Sequence, residues 1–551
     1  MIINYNIFNK KITGLLNTED TKKLPYFIMV VLIGSFVEIF GLGILIPISN
    51  YILNQDLMIE NKYYEFILSI FNTHSENNLF ISLIFIFFIS YLIKTLILMY
   101  TNLYQMVFSF NFNKKLSSLF YKNYLNKEYF SFNDLSNSKF IRNSIYEIDK
   151  LTEYLINNLR LITEIISFSI IFLFLFIYNF LPTLIISTLI LIFSSIYYLA
   201  LRKKILKIAL NKQKFESKKI HFLNSAFGGI KDIKMSFSEN YFYEKFNNIN
   251  YLISKAHSKN ALYNTLPRFL LEIILIGILC IYLIYGKSLD MDLGFISASI
   301  PVYLLAFLRL FPSANKILGS LQSMRLNEPS LNLIHNKIKN YKVKKNKFYE
   351  KSHKKITFEK SIKLDIKKFK YSKKSFFELR NINIEIKKGE KVGIIGPTGS
   401  GKSTLIELLI NIIDLDNGDI FLDNYSTKKF VNSWRGIIGY IPQKIYILED
   451  TLKNNICLNK NYQNLKNEYF IKILKQVGLN EWYKTLPNGL ETKINERGLS
   501  LSGGEIQRLG IARALVHNPQ IIILDEATSA LDTFTEKKIL KNLFRLKNKT
   551  F

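Results

Sequence analysis

Gly396-Pro397-Thr398-Gly399-Ser400-Gly401-Lys402-Ser403-Thr404 decides the fold of the second half of this 551-residue chain. Glycines at this spacing, followed by Lys and Ser, fit the P-loop pattern, in which backbone N–H groups turn towards phosphate oxygens. The flanks supply the context the pattern requires. Upstream, Ile382-Asn383-Ile384-Glu385-Ile386 alternates at period two, a strand signal. Gly389 turns the chain, and Lys391-Val392-Gly393-Ile394-Ile395 reads as a second strand running into the loop. Downstream, Leu405, Leu408, Leu409 and Ile412 recur at helical spacing. A helix opening at the loop adds its positive end to the phosphate site. Lys402 then offers a point charge to the β- and γ-phosphates, and Ser403 a hydroxyl to Mg²⁺.

Two further motifs belong to the same α/β domain, which begins near residue 360. Ile521-Ile522-Ile523-Leu524-Asp525-Glu526 is an apolar strand ending in two acids. They emerge at the carboxyl end, where ligands bind in open α/β sheets. Asp525 suits Mg²⁺ coordination and Glu526 suits activation of an attacking water. Leu501-Ser502-Gly503-Gly504-Glu505-Ile506-Gln507-Arg508 precedes a second apolar helix. Ser and two Gly before a helix make another anion-binding terminus. A domain that needed only its own P-loop would not require one; its natural use is the γ-phosphate held by a second copy.

With these motifs the chain resembles an ATP-binding cassette (ABC) transporter of the exporter type over residues 20–551. The resemblance implies an all-α six-helix transmembrane domain followed by an α/β P-loop ATP-binding domain, with ATP and Mg²⁺ as cofactors. It also implies roles for matching residues. Tyr371, 25 residues before Gly396, would stack on adenine. Gln443, in Tyr440-Ile441-Pro442-Gln443, would reach Mg²⁺ and the water as Q-loop residue. Ser529-Ala530-Leu531-Asp532 resembles the D-loop, and Glu496-Arg497-Gly498 sits where exporters carry an extra loop. Residues near 137–141 and 226–236 would be coupling helices. Two departures stand out. Glu505 occupies a signature position that is usually Gln, placing a carboxylate near the nucleotide. The family's switch histidine has no counterpart after Glu526, since His74, His221, His257, His335, His353 and His517 all precede it. The expectation is therefore a C-terminal truncation, with the switch histidine and last strands beyond Phe551.

The first half reads as membrane. Apolar stretches at about 24–53, 78–110, 165–201, 266–286 and 292–318 each meet the roughly 20-residue length of a span. Residues 165–201 hold no charge and are broken at Asn179-Phe180-Leu181-Pro182, so they count as two helices and the total is six. The segments 111–160 and 202–268 hold eight and fourteen Lys/Arg, whereas the 51–77 loop has Lys62 alone against Asp56, Glu60, Glu65 and Glu76. The positive-inside rule puts both termini in the cytoplasm, and the exporter resemblance implies a bacterial inner membrane. The domains expected are a cytoplasmic segment 1–23, a transmembrane domain 24–323, a basic linker 324–359 and a cassette domain 360–551. Tyr64, Ile67, Leu68 and Phe71 form an amphipathic stripe in the outer loop.

Composition fits this division. Hydrophobic residues make up 49% and charged residues 21%, with 44 Phe and 32 Tyr, which excludes a disordered chain. The net charge of +30 suits basic cytoplasmic loops. No aromatic–basic recognition module accompanies it, so nucleic acid is not an expected partner. Cys280 and Cys457 lie in unlike segments and imply no disulfide framework.

Lys94, Arg268 and Arg309 lie within or at the edge of apolar spans, where a charge costs about 3 kcal/mol or more. They are candidate cargo-binding cations; the alternatives are a pair between Arg268 and Glu272 one turn on, a snorkelling Arg309, and Glu38 as a further partner. Leu266-Pro267-Arg268-Phe269-Leu270-Leu271-Glu272 and Arg309-Leu310-Phe311-Pro312-Ser313-Ala314-Asn315-Lys316-Ile317 look like segments of bacterial lipid-linked oligosaccharide flippases. That resemblance implies contact with membrane lipids and a lipid-linked saccharide as cargo; a peptide, drug or plain-lipid exporter, or a non-transporting membrane ABC ATPase, are the alternatives. One P-loop and one signature per chain, both intact together with Glu526, favour a homodimer with two composite ATP sites.

Overall fold

The computed structural model describes residues 10–53, 76–127, 129, 137–178, 180–288, 293–343, 356–371, 377–415, 417–458, 462, 464–494, 501–529 and 531–551. The outer-loop stripe Tyr64–Phe71, the Glu496-Arg497-Gly498 segment and the linker lysines Lys344–Lys355 lie outside them. The chain divides into two compact units, 1–126 with 135–346 and 127–134 with 347–551.

The first unit is helical: α1 (Lys10–Thr13), α2 (Thr18–Leu53), α3 (Glu76–Leu125), α4 (Asn137–Ser144), α5 (Tyr146–Tyr178), α6 (Phe180–Gly228), α7 (Ile230–Met235), α8 (Glu239–Ser288) and α9 (Leu293–Val343). Four segments are long and apolar enough to cross a membrane: Thr18–Leu45, Phe80–Leu125, Lys139–Tyr178 and Thr183–Gly228. The expected spans at 266–286 and 292–318 fall in α8 and α9, where many side chains lie outside the description. The charge-free run 165–201 does divide, with α5 ending at Tyr178 and α6 starting at Phe180. Pro182 falls in the first turn of α6, where its missing N–H has no intrahelical partner to lose. With 50 residues, α3 is about 75 Å long, over twice a bilayer's roughly 30 Å hydrocarbon thickness. Its polar half therefore continues past the bilayer. Short helices α4 and α7 occupy the positions expected for coupling helices.

At the centre of this unit α5 buries Ile148, Leu151, Leu155, Leu159 and Ile162 against α2, α3 and α9. Three neighbouring polar residues then tie α5 to three different helices. Gln105 on α3 donates to Thr163 at 2.9 Å. Ser313 and Lys316 on α9 donate to Glu164 at 2.7 and 2.8 Å. Ser167 shares a 3.0 Å hydroxyl contact with Ser35 on α2. The outward faces are apolar, with Phe36, Phe40, Phe85 and Phe88 each at least 60% exposed, as a lipid-facing surface requires.

In the second unit β1 (Ser361–Phe369) pairs antiparallel with β2 (Leu379–Lys387). After the P-loop come α10 (Lys402–Leu409), β3 (Asn417–Leu422), β4 (Tyr425–Ser426), α11 (Val431–Gly436) and β5 (Ile438–Ile441). Then follow β6 (Asp450–Thr451), α12 (Leu452–Ile456), α13 (Asn467–Gln476), α14 (Asn480–Lys484), β7 (Lys493–Ile494), α15 (Gly503–Leu515), β8 (Ile521–Leu524) and α16 (Thr533–Phe544). The antiparallel sheet has the order β2-β1-β3-β4, and β5 pairs with β8 in parallel.

One expectation is corrected. Lys391–Ile395 belongs to no β-ladder among the described residues. The backbone of Phe551 bonds to Glu390 and Val392 on one side, while Thr550 bonds to Gln520 and Ile522 on the other. This short ribbon holds the 390–392 segment beside β8 but does not reach Ile394 and Ile395, which are 44% and 95% exposed. Without a paired neighbour the segment stays extended but irregular.

Candidate nucleotide site

The P-loop conformation follows from its glycines. Gly401 caps α10 with φ of 96°, and a Cβ there would lie 2.6 Å from Phe377 Cζ. Only glycine fits both the left-handed backbone and the contact. Gly399 also has positive φ, 83°. Lys402 folds back, donating to the carbonyls of Gly396 at 2.8 Å and Pro397 at 3.0 Å. Ser403 is exposed in the first turn of α10, while Thr404 is buried.

The parallel pairing of β5 and β8 sets the rest. Ile441 is in register with Leu524. The next residues of both strands therefore leave the sheet side by side at its carboxyl end. Gln443 Nε2 donates to Glu526 Oε2 at 2.5 Å. Glu526 adopts φ of 49°, a left-handed conformation that non-glycine residues hold at a cost of roughly 1–3 kcal/mol and that clusters at functional sites. Tyr440 donates its hydroxyl to Asp525 Oδ2 at 3.2 Å. Burial, then the adjacent Asp525, pushes the Tyr440 phenol well above its ordinary range, so it remains a donor at neutral pH.

Tyr371, whose family position implies stacking on adenine, is anchored to α10 through its hydroxyl. Its hydroxyl lies 2.7 Å from Thr404 Oγ1 and 3.2 Å from Glu407 Oε2, and its ring packs beside Phe369 and Phe377. The shared proton bookkeeping is simple: Thr404 donates to Tyr371, which donates to the Glu407 carboxylate. Burial raises the Glu407 carboxyl pKa, Tyr371's hydrogen bond partly offsets this, and Asp525's charge adds to the rise. Neither Glu407 nor Tyr440 was legible as a site residue from sequence. Glu407 is the one acid in α10, set among Leu405, Ile406, Leu408 and Leu409, which was the available signal.

The oxygens fit Mg²⁺: the Ser403 hydroxyl, the Asp525 carboxylate and the Gln443 amide oxygen are hard donors, and Gln443 already uses its NH₂ group on Glu526. When bound, Mg²⁺ would neutralise phosphate charge. Glu526 is exposed, and Gln443 holds one of its carboxylate oxygens.

The Ser502 terminus is closed by a capping box. Ser502 Oγ accepts from the Glu505 amide at 3.3 Å, and Glu505 Oε2 accepts from the Ser502 amide at 2.8 Å. Glu505, unusual for its signature position, thus has a local role that the spacing Ser-x-x-Glu announces. Gln507 on α15 donates to Ser529 Oγ at 3.2 Å, and Asp532 caps α16 through Thr535 N at 2.9 Å. Leu501, Gly503 and Gly504 complete this terminus.

Of the three membrane cations, Lys94 is ion-paired with Glu38 at 2.8 Å and lies 4.5 Å from the Tyr91 ring centroid. Arg268 and Glu272 are both exposed and make no ion pair with each other. The Arg309 side chain lies outside the description.

The P-loop before α10, Gln443 and the Asp525–Glu526 pair at the carboxyl ends of β5 and β8, and the Ser502 terminus of α15 make the arrangement expected of an ABC-type ATP-binding domain. Residues 379–529 match the ABC transporter family model. An uncharacterized ABC transporter ATP-binding protein, YwjA of Bacillus subtilis, is 45% identical over 167 residues, 30% of this chain and 29% of that protein. A Staphylococcus aureus protein whose name proposes multidrug export is 41% identical over 165 residues, 30% of this chain and 28% of that one. These matches span less than a third of either relative. A solved structure titled as a bacterial Atm1-family ABC exporter with ATP bound superposes with TM-score 0.71 at 18% identity, covering 96% of this chain and 90% of that one. The chain thus has the ABC exporter fold, a helical membrane unit followed by an ABC ATPase domain.

Proposed function

We propose that this chain is one half of an ATP-driven exporter in a bacterial cytoplasmic membrane, acting as a homodimer with both termini inside. The observation that carries this reading is the pairing of Gln443 with Glu526 beside Asp525 at the carboxyl ends of β5 and β8, on a chain that also holds membrane-length helices. One chain supplies one P-loop and one Ser502 terminus, so two copies would complete two composite sites with Mg²⁺. The domain limits go with this reading, 24–323 for the membrane part, 324–359 for the linker and 360–551 for the cassette, with one shift: α9 runs on to Val343 and buries Leu331, Ile334 and Ile338, so the linker starts only after it.

The preferred cargo is a lipid-linked saccharide, moved from the inner to the outer leaflet. Support comes from the flippase-like segments 266–272 and 309–317 and from Arg268, whose charge Glu272 does not neutralise. Arg309 would be its companion; Lys94, already paired with Glu38, is less available. The name of the Staphylococcus aureus relative favours drug export as the second reading. Proteoliposomes containing the purified chain separate them. A lipid-linked saccharide, not a drug panel, should stimulate ATPase and be flipped. Flipping that persists in an Arg268→Ala/Arg309→Ala variant sinks the saccharide-diphosphate reading.

A further inference from the structure

The Q-loop strand contributes a residue to the metal site that no matched motif assigns. Tyr440 is the third residue of β5, in register with Ile523 of β8, two residues before Asp525. That pairing brings the phenol alongside the strand end, where its hydroxyl meets Asp525 Oδ2 at 3.2 Å. Asp525 also accepts a backbone constraint, its amide donating to Ile441 O at 3.0 Å, so main chain and carboxylate are both anchored to the same strand. Glu407 lies close enough on α10 for Asp525's charge to disfavour its ionisation, and Tyr371 supplies Glu407 with its own donor. Two neighbouring carboxylates are thus each held by a separate phenol. A carboxylate that must present one oxygen to a cation gains from having the other fixed.

We infer that Tyr440 is a positioning residue for Asp525 and sets the affinity of the nucleotide site for Mg²⁺. This rests on the reading of Asp525 as a metal ligand. A hydrogen bond to a charged group is worth about tenfold in an equilibrium constant at the weaker end of its range. Tyr440→Phe keeps the ring, which packs with the β1–β3 core, and removes the donor alone.

The test uses the purified full chain in detergent and a fluorescent ATP analogue, titrated with EDTA present and again at stepped Mg²⁺ concentrations. In Tyr440→Phe, affinity without Mg²⁺ should match wild type, while the Mg²⁺ concentration giving half of the metal-dependent increase should rise about tenfold. In an Asp525→Asn background, adding Tyr440→Phe should change that concentration no further. An unchanged Mg²⁺ titration overturns the inference. Equal loss of binding with and without Mg²⁺ also overturns it, because Tyr440 would then serve packing. If wild type itself shows no Mg²⁺ dependence of ATP binding, the metal-ligand reading of Asp525 fails first and takes the inference with it.

Discussion

Gln443 Nε2 donates to Glu526 Oε2 across 2.5 Å, joining residues 83 positions apart. The donor fixes Glu526 as an acceptor and leaves the Gln443 amide oxygen for the metal. The β5–β8 register produces the contact, and neither residue's local sequence encodes it. Glu526→Gln should leave ATP binding intact and slow hydrolysis by about 10²–10⁴-fold, the usual worth of general-base catalysis. Single-turnover hydrolysis with bound ATP measures this. A loss within a factor of about two would remove Glu526 from the base role.

Lys402 grips the Gly396 and Pro397 carbonyls through its ammonium group. Exchanging those neutral acceptors for anionic phosphate oxygens adds a charge–charge attraction to donors already in place. Lys402→Ala should therefore abolish tight ATP binding while the protein still folds. Retained ATP affinity in a titration of the folded variant would refute the P-loop assignment.

The P-loop, both acids and the Ser502 terminus were legible because each is a local pattern with a chemical reason. The division between α5 and α6 was legible for the same reason, as an interruption of an apolar run by Pro182. What sequence did not show depends on neighbours brought in by register or packing. Tyr440 meets Asp525 only through β5 beside β8. Tyr371 meets Thr404 and Glu407 only because α10 lies against β1's end. Lys391–Ile395 reads as a strand by alternation, yet a strand needs a partner, and the described residues provide one only as far as Val392. Glu38 is legible as a possible partner for the membrane cations, but that it takes Lys94 depends on α2 lying beside α3.

The Ser502–Glu505 capping box separates two effects of the carboxylate. Glu505→Ala loses the acceptor for the Ser502 amide and should cost ~0.3–1.5 kcal/mol, the usual worth of one cap element. Glu505→Gln keeps an acceptor oxygen and should hold stability. Denaturant unfolding of purified protein distinguishes them; equal losses would mean that charge, not the reciprocal hydrogen bond, stabilises the terminus.

Glu407 predicts a pH signature. Its carboxyl pKa in the folded protein is raised above the ordinary glutamate value by burial and by Asp525. The native state therefore holds a proton that the unfolded state releases from about pH 4.3 upwards. Stability from that proton is complete below the unfolded value and is lost as pH rises through the folded one. Glu407→Gln removes the titration and can still accept from Tyr371. Its melting temperature relative to wild type should thus increase as pH rises from 4 to 8. A difference that is flat with pH would show that Glu407 ionises without penalty.

Lys94 and Glu38 test whether an intramembrane charge serves the fold or the cargo. Their side chains are 12% and 3% exposed, and they join α3 to α2. Removing one partner of a buried pair leaves the other charge uncompensated and costs about 3–5 kcal/mol, whereas replacing both with apolar residues is often neutral. Lys94→Met and Glu38→Leu should each lower yield and melting temperature in detergent, and the double variant should recover most of both. Transport and ATPase should follow the folded fraction throughout. The opposite pattern, a well-folded Lys94→Met protein with normal ATPase and no cargo movement, would return Lys94 to the cargo path and make its bond to Glu38 a resting contact that cargo displaces.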